Sequence, residues 1–408
     1  MVPVWCHSSL RDQDLFPGLK CLAKNCSSLD SNIEKAACNV TRGLSIDGPE
    51  SVSHSAIIPA SLVACFRPET IVSACERLPG LSRSLGSIKS VSQERIVLIL
   101  AAVLFAGFAL TLDGFRATRN LIAIVRSVSV LGILAIGMGL VVIGRGIDLS
   151  VVAVMVIATA LQLELLHHGW SLLSASSIVF LIVVAIGSVN GFLVAYASVP
   201  ALFATLATSA FVFGFVRSQI LAQDVVSVPQ DAVALLSLGQ ARLVGLPLDV
   251  LLFGGMLVIG WLFLRYTKPG RFLYLMGDNY QAARTMGIAV RPLTLLQYIV
   301  SALLAWIAGV ATAVSLQSMN TRIVNSTLLY DVVLVVVIGG IGLSGGKGGM
   351  RNVLVGALLI GILLNGMTIL DLPNIYQNLI KATILLAAII LDGRLNPRDE
   401  QTSQQGDI

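Results

Sequence analysis

The apolar part of this chain, residues 93–408, has no cysteine and little charge. Charged residues make up 12% of the whole sequence and hydrophobic residues 56%, whereas soluble domains carry about 25% charged residues. Between Val151 and Phe215 the only acidic residue is Glu164, and the same stretch holds no Lys or Arg. A large soluble domain needs more polar surface than this. The composition therefore predicts a membrane-embedded protein.

Catalytic and metal-binding patterns are also missing from the apolar part. It shows no Ser/His/Asp set, no paired carboxylates and no cluster of metal ligands. His167 and His168 stand in a loop and are expected to face solvent. We therefore expect no enzyme activity, resident metal or cofactor on this chain.

The first 92 residues differ from the rest. They are Ser-rich, with acids and bases nearly balanced, and they lack the pattern of a signal or transit peptide. All six cysteines lie here, without the spacing of a zinc site: Cys6, Cys21, Cys26, Cys38, Cys65 and Cys75. A small cytoplasmic domain is one interpretation. We favour a poorly ordered extension, or residues upstream of the native start, because such composition rarely supports a packed core.

A glycine-rich stretch, "VVIGGIGLSGGKGG" at 336–349, invites comparison with phosphate-binding loops. A P-loop needs Ser or Thr after its Gly-Lys pair, but Gly348 follows here and Ile341 replaces the first glycine. The dinucleotide pattern GxGxxG is matched by Gly340, Gly342 and Gly345. That pattern also requires an acidic residue about 20 positions later, and the nearest, Asp371, lies beyond a long apolar run. No nucleotide site is predicted on this chain.

We instead predict a structural role for this loop. Its glycines allow the chain to reverse within a few residues and allow helices to pack closely. The residues assigned to this role are Gly339, Gly340, Gly342, Gly345 and Gly346. "VVIGRGIDLS" (141–150) and "VVIGGIGLS" (336–344) share a frame, which suggests an internal duplication as a hypothesis.

Long apolar segments predict an all-α, polytopic membrane helix bundle with about ten transmembrane helices. A spanning helix needs about 20 mostly apolar residues. The predicted spans are 95–112, 121–143, 150–166, 174–197, 201–220, 248–265, 294–315, 331–343, 352–370 and 375–391. This gives an N-terminal extension (1–92), a transmembrane domain (93–392) and a cytoplasmic tail (393–408).

The placement of positive charge predicts the orientation of the spans, because cytoplasmic loops collect Lys and Arg. Basic residues concentrate in the 266–293 loop, the glycine loop and the tail: Lys268, Arg271, Arg284, Arg291, Lys347, Arg351, Arg394 and Arg398. With ten spans, both termini are then cytoplasmic and the 221–247 loop lies outside. Arg116 and Arg119 fall outside as well, against the rule.

Four polar residues in or beside the spans are candidates for a substrate path: Asp148, Ser150, Asn190 and Asn365. An ionisable residue near a span is a functional candidate, but an aspartate followed by Ser150 also fits a helix cap. The two asparagines either line a polar path or hydrogen-bond a neighbouring helix. The residues alone leave these alternatives open.

The largest predicted cytoplasmic loop contains "MGDNYQAARTMGIAVRPL" (276–293). Asn279 can cap a short helix whose first turns hold Gln281, Ala282 and Ala283, and Gly287 can end it. Such a compact helix could be gripped by another protein. An ordinary polar loop with one amphipathic turn fits equally well.

Four motifs in unbroken order resemble the ribose/xylose/arabinose-type permeases of bacterial ABC importers. They are "GIDLSV", "NYQAARTMGI", "VVIGGIGLSGGKG" and "GALLIGILLNGM", and the resemblance runs from Asn120 to Asp392. It implies a permease subunit that moves a ribose-like monosaccharide across the bacterial cytoplasmic membrane by alternating access. The loop helix would be the element that couples to the ATPase, through Asn279, Gln281, Ala282, Ala283, Arg284 and Gly287.

The resemblance also implies partners. These are a second permease subunit (identical or not), an ATP-binding protein carrying ATP and Mg²⁺, a periplasmic or lipid-anchored sugar-binding protein, and membrane lipid. No nucleic-acid partner is expected. Two departures, Val152 in place of a glycine and Asp331 without its usual neighbouring glutamate, affect the expected substrate more than the architecture.

Other kinds of transporter remain as alternatives. An ion-coupled secondary carrier would need a relay of ionisable residues deep in the spans. Apart from Asp148 and Asp331, which both lie near span ends, we find no ionisable residue in the sequence for such a relay. Permeases for nucleosides, branched amino acids or another small polar solute are further possibilities within the importer class.

Overall fold

The computed structural model describes residues 93–395 except Ala222, Ala241, Val244 and Gly245. The predicted extension 1–92 and residues 396–408 of the predicted tail lie outside the described residues.

The described part is a helix bundle with small strands at one end. Its helices, numbered here in chain order, are α1 Gln93–Thr111, α2 Thr118–Ile143, α3 Val151–His167, α4 Leu172–Ala195, α5 Ala201–Gln219, α6 Val233–Gln240, α7 Leu248–Tyr266, α8 Lys268–Asp278, α9 Tyr280–Thr285, α10 Val290–Leu316, α11 Leu328–Gly339, α12 Met350–Ile369 and α13 Asn374–Leu395. The strands are β1 Val225–Ser227, β2 Arg242–Leu243, β3 Leu246–Pro247 and β4 Ser318–Asn320, and a 3₁₀ helix spans Thr321–Asn325.

Ten of these helices are apolar and coincide with the ten predicted spans. Seven are long and apolar enough to cross a membrane: α1, α2, α4, α5, α7, α10 and α12. The other three, α3, α11 and α13, have shorter apolar stretches. The prediction of a polytopic helical membrane bundle is thus confirmed.

Large apolar side chains are exposed on the outer helices. Leu110 on α1 is 82% exposed, and Phe203 and Phe211 on α5 are 68% and 69% exposed. Exposed apolar surface of this extent would be unfavourable in water but is favourable against lipid chains. Lipid hydrocarbon around the bundle therefore accounts for the exposed apolar side chains on these helices.

Helix α10 is the central element and packs against α2, α3 and α4. Its closest neighbour is α4, where Gly187 and Gly191 are four residues apart, as in the GxxxG packing motif. A Cβ at Gly187 would lie 2.7 Å from the Cα of Ile299, and a Cβ at Gly191 2.6 Å from the Cα of Leu295. Lipid chains are as apolar as the helix faces, so the hydrophobic effect does not drive helices together in a membrane. Van der Waals contact at this close backbone approach stabilises the packing instead. Our sequence analysis overlooked this motif.

Helix α10 also defines two ends of the molecule. Its 27 residues correspond to a length of about 40 Å. The "glycine end" is the end where α10 begins; α8, α9, the α2–α3 turn and the 340–349 loop lie there. The "ribbon end" is the end where α10 finishes; there β1 pairs with β4.

The ribbon end contains structure that the hydrophobic pattern did not predict. β1 and β4 pair antiparallel, with Val226 opposite Met319, and the short helix α6 lies in the same connection. Strands of two or three residues are too short to show alternation in a sequence. They form here because residues nearly 100 positions apart are brought together by the bundle.

Candidate functional site

The short helix predicted after Asn279 is present at the glycine end, while its coupling role stays a prediction. Helix α9 begins after Asn279, whose side-chain Oδ1 accepts a hydrogen bond of 2.9 Å from the backbone N–H of Ala282. Ala283 is fully buried against the bundle, whereas Gln281, Ala282 and Arg284 are exposed. Gly287 follows the helix with a φ of +81°, in the left-handed region that favours glycine. One face of this short helix is thus anchored and the other is free for a partner.

Helix α8, which precedes it, was not predicted. Its N-cap Thr267 accepts a hydrogen bond of 3.1 Å from the backbone N–H of Gly270, and Pro269 lies in its first turn. Leu273 and Met276 are buried while Phe272 and Leu275 are exposed, so α8 is amphipathic. An eleven-residue amphipathic helix is shorter than a span, so the hydrophobic pattern of a spanning helix does not reveal it.

Three chain segments meet at Gly277 on α8. A Cβ at this position would overlap the carbonyl oxygen of Ile143 at the end of α2 and lie 2.5 Å from the backbone nitrogen of Gly346. That nitrogen donates a hydrogen bond of 2.9 Å to the Ile143 carbonyl. The hydroxyl of Tyr274 donates to the carbonyl of Gly348 at 2.8 Å. We call this meeting of α8, the end of α2 and the glycine loop the "glycine joint".

The glycine loop reverses the chain between α11 and α12. Gly340, Gly345 and Gly346 have φ of +95°, +82° and +70°, which residues with a Cβ adopt at a cost. A Cβ at Gly339 would overlap the backbone carbonyl of Asn352, and the Gly342 carbonyl accepts a bond of 3.0 Å from Gly345. Gly340, Gly345 and Gly346 therefore serve the reversal and Gly339 the close packing, while a structural role for Gly342 stays a prediction.

The two similar stretches of sequence form the same helix ending. At the end of α2, Arg145 has φ +68° and the N–H of Gly146 donates to the Val141 carbonyl at 2.8 Å. At the end of α11, Gly340 takes the place of Arg145, and the N–H of the next residue donates to Val336 at 3.1 Å. Both are left-handed helix terminations of the Schellman type. The shared frame thus has a shared backbone geometry, while duplication itself stays a hypothesis.

Three of the four candidate path residues form one buried cluster. Asp148 Oδ1 accepts hydrogen bonds from the N–H and the hydroxyl of Ser150, at 3.0 and 2.6 Å, and Oδ2 accepts one from Ser301 at 2.7 Å. Asn190 Nδ2 donates to the Ser150 hydroxyl at 2.8 Å. All four side chains are at most 1% exposed. This "Asp148 cluster" joins the α2–α3 turn to α4 and α10.

Asp148 makes a local contact at the α2–α3 turn and a long-range contact to α10. Its bond to the N–H of Ser150 has the form of a local turn cap at the start of α3. Its bond to Ser301, a residue that the sequence analysis did not select, crosses to α10. A buried carboxylate with these donors holds three helices together, and a role in the substrate path stays a prediction.

The fourth candidate, Asn365, lies apart from the cluster. Its amide and that of Asn120 exchange two hydrogen bonds, at 3.0 and 2.9 Å, between α12 and the start of α2. This arrangement matches the helix-linking alternative of the sequence analysis. Whether Asn365 also borders a path is a prediction.

Sequence comparison agrees with this architecture. The family described as "branched-chain amino acid transport system / permease component" matches residues 120–389. The chain belongs to this permease family. No solved structure matches it significantly.

Curated relatives extend the comparison over nearly their full lengths. The ribose import permease protein RbsC of Escherichia coli (strain K12) is 32% identical over 307 residues, covering 75% of this chain and 95% of the relative. The xylose transport system permease protein XylH of Haemophilus influenzae is 31% identical, covering 75% and 97%. The L-arabinose transport system permease protein AraH of E. coli K12 is 30% identical, covering 77% and 94%. The permease is therefore a multi-pass protein of the inner membrane.

The permease also contains ion pairs within its apolar helices that the sequence-based predictions did not include. Lys381 on α13 lies 3.0 Å from Asp331 on α11 and donates to the Thr327 hydroxyl at 2.9 Å. Arg126 on α2 lies 3.9 Å from Asp249 on α7. The expectation that few ionisable residues enter the spans was therefore too strict. Each of these charges has an opposite charge beside it, as membrane burial demands.

Among the described residues, no group of three or more His, Cys, Asp or Glu side chains lies together as a metal site would require.

The amide pair gives a measurable stability difference. Asn365→Ala should lower the free energy of unfolding by about 1 kcal/mol, because Asn120 would lose both bonds to its partner. The double change Asn120→Leu with Asn365→Leu should cost less than the single change, since it leaves no amide unpaired. Thermal unfolding in detergent would measure both. A double variant that is less stable than the single variant would contradict this account.

The ribbon end contains an exposed ion cluster with a predictable pH response. Asp224 accepts hydrogen bonds from Arg217, at 3.0 Å from Nε, and from Arg322, at 2.9 Å from Nε. These bonds, from Arg217 first and then Arg322, hold the pKa of Asp224 below its ordinary value. The stabilisation is then complete above the unfolded pKa of about 4 and is lost as the pH falls through the lower folded pKa.

Asp224→Asn should therefore be less stable than the wild type at neutral pH, and the gap should close in acid. Melting temperatures measured from neutral to acidic pH would show this. Asp231→Asn, which changes an exposed carboxylate in the same connection, serves as the control. If the difference in melting temperature between Asp224→Asn and the wild type stayed constant with pH, the charge of Asp224 would not be the cause of the lower stability.

Proposed function

We propose that this chain is the permease subunit of an ATP-binding-cassette importer that moves a ribose-like monosaccharide inward by alternating access. The single observation that carries the proposal is the similarity to sugar permeases over 94–97% of their lengths. The helix with one buried and one exposed face at the glycine end supports it. ATP and Mg²⁺ would bind a separate ATPase chain.

The proposed mechanism uses the glycine joint to pass motion into the bundle. The ATPase would contact the exposed face of α9, formed by Gln281, Ala282 and Arg284. Because α8 touches both the end of α2 and the glycine loop without intervening side chains, a shift of α8 and α9 would move these elements as one group. Rigid groups of this kind allow a cavity to open to either side in turn.

The orientation follows from positive charge. Lys268, Arg271, Arg284 and Arg351 all belong to segments at the glycine end, which would make it cytoplasmic and place both termini in the cytoplasm. The ribbon end would then face outward, toward a periplasmic or lipid-anchored sugar-binding protein. A second permease subunit, identical or different, would complete the path.

Uptake by reconstituted vesicles tests the function. Radiolabelled ribose, xylose and arabinose should accumulate only when the ATPase subunit, ATP and the binding protein are all supplied. Uptake that needs none of them and collapses with an uncoupler would show an ion-coupled carrier instead. Uptake of nucleosides or branched amino acids in place of sugars would leave the importer class intact and correct the substrate.

The exposed position of Arg284 predicts a selective loss of coupling. Arg284→Glu should reduce sugar-stimulated ATP hydrolysis about fivefold. The new carboxylate at the ATPase contact would either be repelled by a negative charge of the ATPase or lack an opposite charge to pair with. Its melting temperature should stay near that of the wild type, because the side chain is exposed. Arg119→Glu makes the same charge change at an exposed site remote from the glycine end and should have no effect on hydrolysis. Equal losses in both variants would rule out a specific contact at α9.

A further inference from the structure

The ribbon end contains an open cavity of about 500 Å³ that no part of the proposed mechanism has used. Four polar residues line it, with Val228 and Leu236 among its apolar residues. The polar residues are His167, Ser227, Gln230 and Gln317. Ligand cavities for small molecules commonly measure about 300–1,000 Å³, so this volume suits a monosaccharide.

The walls of the cavity come from three separate segments that are hydrogen-bonded to one another. The backbone N–H of Val228 donates to the carbonyl of Gln317 at 3.0 Å, where α10 ends in a left-handed residue with φ +56°. The Nε2 atom of His167 lies 2.9 Å from the carbonyl oxygen of Ser227. Since a carbonyl only accepts, Nε2 carries the proton, and Nδ1 of the neutral ring remains an acceptor. The cavity is therefore held open by fixed backbone contacts.

A cavity of only about 10 Å³ adjoins the first one, too small for a sugar, and six of its eight lining residues are apolar. Thr159 and Gln162 of α3 line this space, and Val228 lines both. The amide of Gln162 accepts from the indole N–H of Trp306 at 2.9 Å and donates to Ser176 at 2.9 Å. The Thr159 hydroxyl is 1% exposed and has no hydrogen-bond partner in the described part of the chain.

The chemistry of the lining selects the ligand. None of the residues that line the cavity is an acid, Lys or Arg, so neither an anion nor a cation is matched there. Two amides, a hydroxyl and an imidazole offer both donors and acceptors, which is what a neutral polyhydroxyl compound requires.

We propose that the cavity at the ribbon end is an acceptor subsite for a neutral monosaccharide. The proposal rests on the proposed function for its direction of transport. Sugar released on the outer side binds first to Gln230, Gln317 and His167.

Ligand binding can be tested on the permease alone, without the energy source. Saturation-transfer NMR on the full chain in nanodiscs should show contact with millimolar ribose, xylose or arabinose. Gln230→Leu and Gln317→Asn should each weaken binding about fivefold by removing or displacing one amide. Gln223→Leu, an exposed amide outside the cavity lining, should bind as the wild type does. No signal from the wild type, or equal loss in all three variants, would overturn the assignment.

A transport assay separates this subsite from a surface that docks the binding protein. In the reconstituted importer, Gln230→Leu should lower sugar uptake about fivefold while hydrolysis stimulated by the binding protein stays within about twofold. A matching fall in hydrolysis would identify a docking surface and overturn the subsite. If sugar bound to the permease in nanodiscs but uptake did not depend on ATP, the proposed importer function would be disproved. The assignment of the cavity would still be supported.

Discussion

Asp148→Ala should lower the free energy of unfolding by about 3 kcal/mol and reduce the yield of monodisperse protein. The substitution removes the acceptor for both serine hydroxyls and for the N–H of Ser150. These donors are buried where water is scarce, so their bonds are not replaced. Asp148 and Ser150 are each 1% exposed, and Ser301 is fully buried. Thermal unfolding in detergent and size-exclusion profiles would measure the loss.

The isosteric change Asp148→Asn is the matched control. It keeps the side-chain shape and one acceptor oxygen, so we expect a loss of only about 1 kcal/mol. Sugar uptake by this variant then decides between the two roles of Asp148. If uptake fell only in proportion to the amount of folded protein, the Asp148 cluster would serve helix packing. A loss of uptake far beyond the loss of folded protein would place Asp148 in the path.

Gly277→Ala should reduce sugar uptake about tenfold by separating α8 from the rest of the glycine joint. The new Cβ would overlap the carbonyl of Ile143 and press on the backbone nitrogen of Gly346. Backbone atoms cannot rotate away as a side chain can. The variant should therefore also be less stable by about 2–3 kcal/mol. ATP hydrolysis, measured with uptake on the same vesicles, should continue, so that more ATP is consumed per sugar.

Gly254→Ala on α7 is the control for this prediction. No atom lies within 4 Å of a Cβ placed there, and its φ is outside the left-handed region. Within a helix, this change should be neutral or stabilising by up to about 1 kcal/mol. If Gly277→Ala behaved like Gly254→Ala in both uptake and stability, the close contact at Gly277 would not transmit motion.

Much of the fold was predictable because hydrophobic length and charge are local properties of the chain. Each of the ten predicted spans coincides with an apolar helix, including the short α3 and α11. The cap at Asn279 was predictable for the same reason, since it depends on residues only three positions apart. The missed helix α8 shows the limit: its amphipathic pattern does not resemble a span, and its role depends on contacts with distant residues.

The order of apolar and charged residues along the chain determined by itself that this protein is embedded in a membrane. It also determined the number of apolar helices and the places of the polar loops between them, because hydrocarbon excludes charge from any segment that it surrounds. Only the tertiary structure decided which polar residues meet. It paired Asp148 with Ser301 across 153 positions and Asn120 with Asn365 across 245. It also joined β1 to β4 at the ribbon end. Partners so distant in the chain are selected by helix packing, and helix packing depends on the shapes of all faces together.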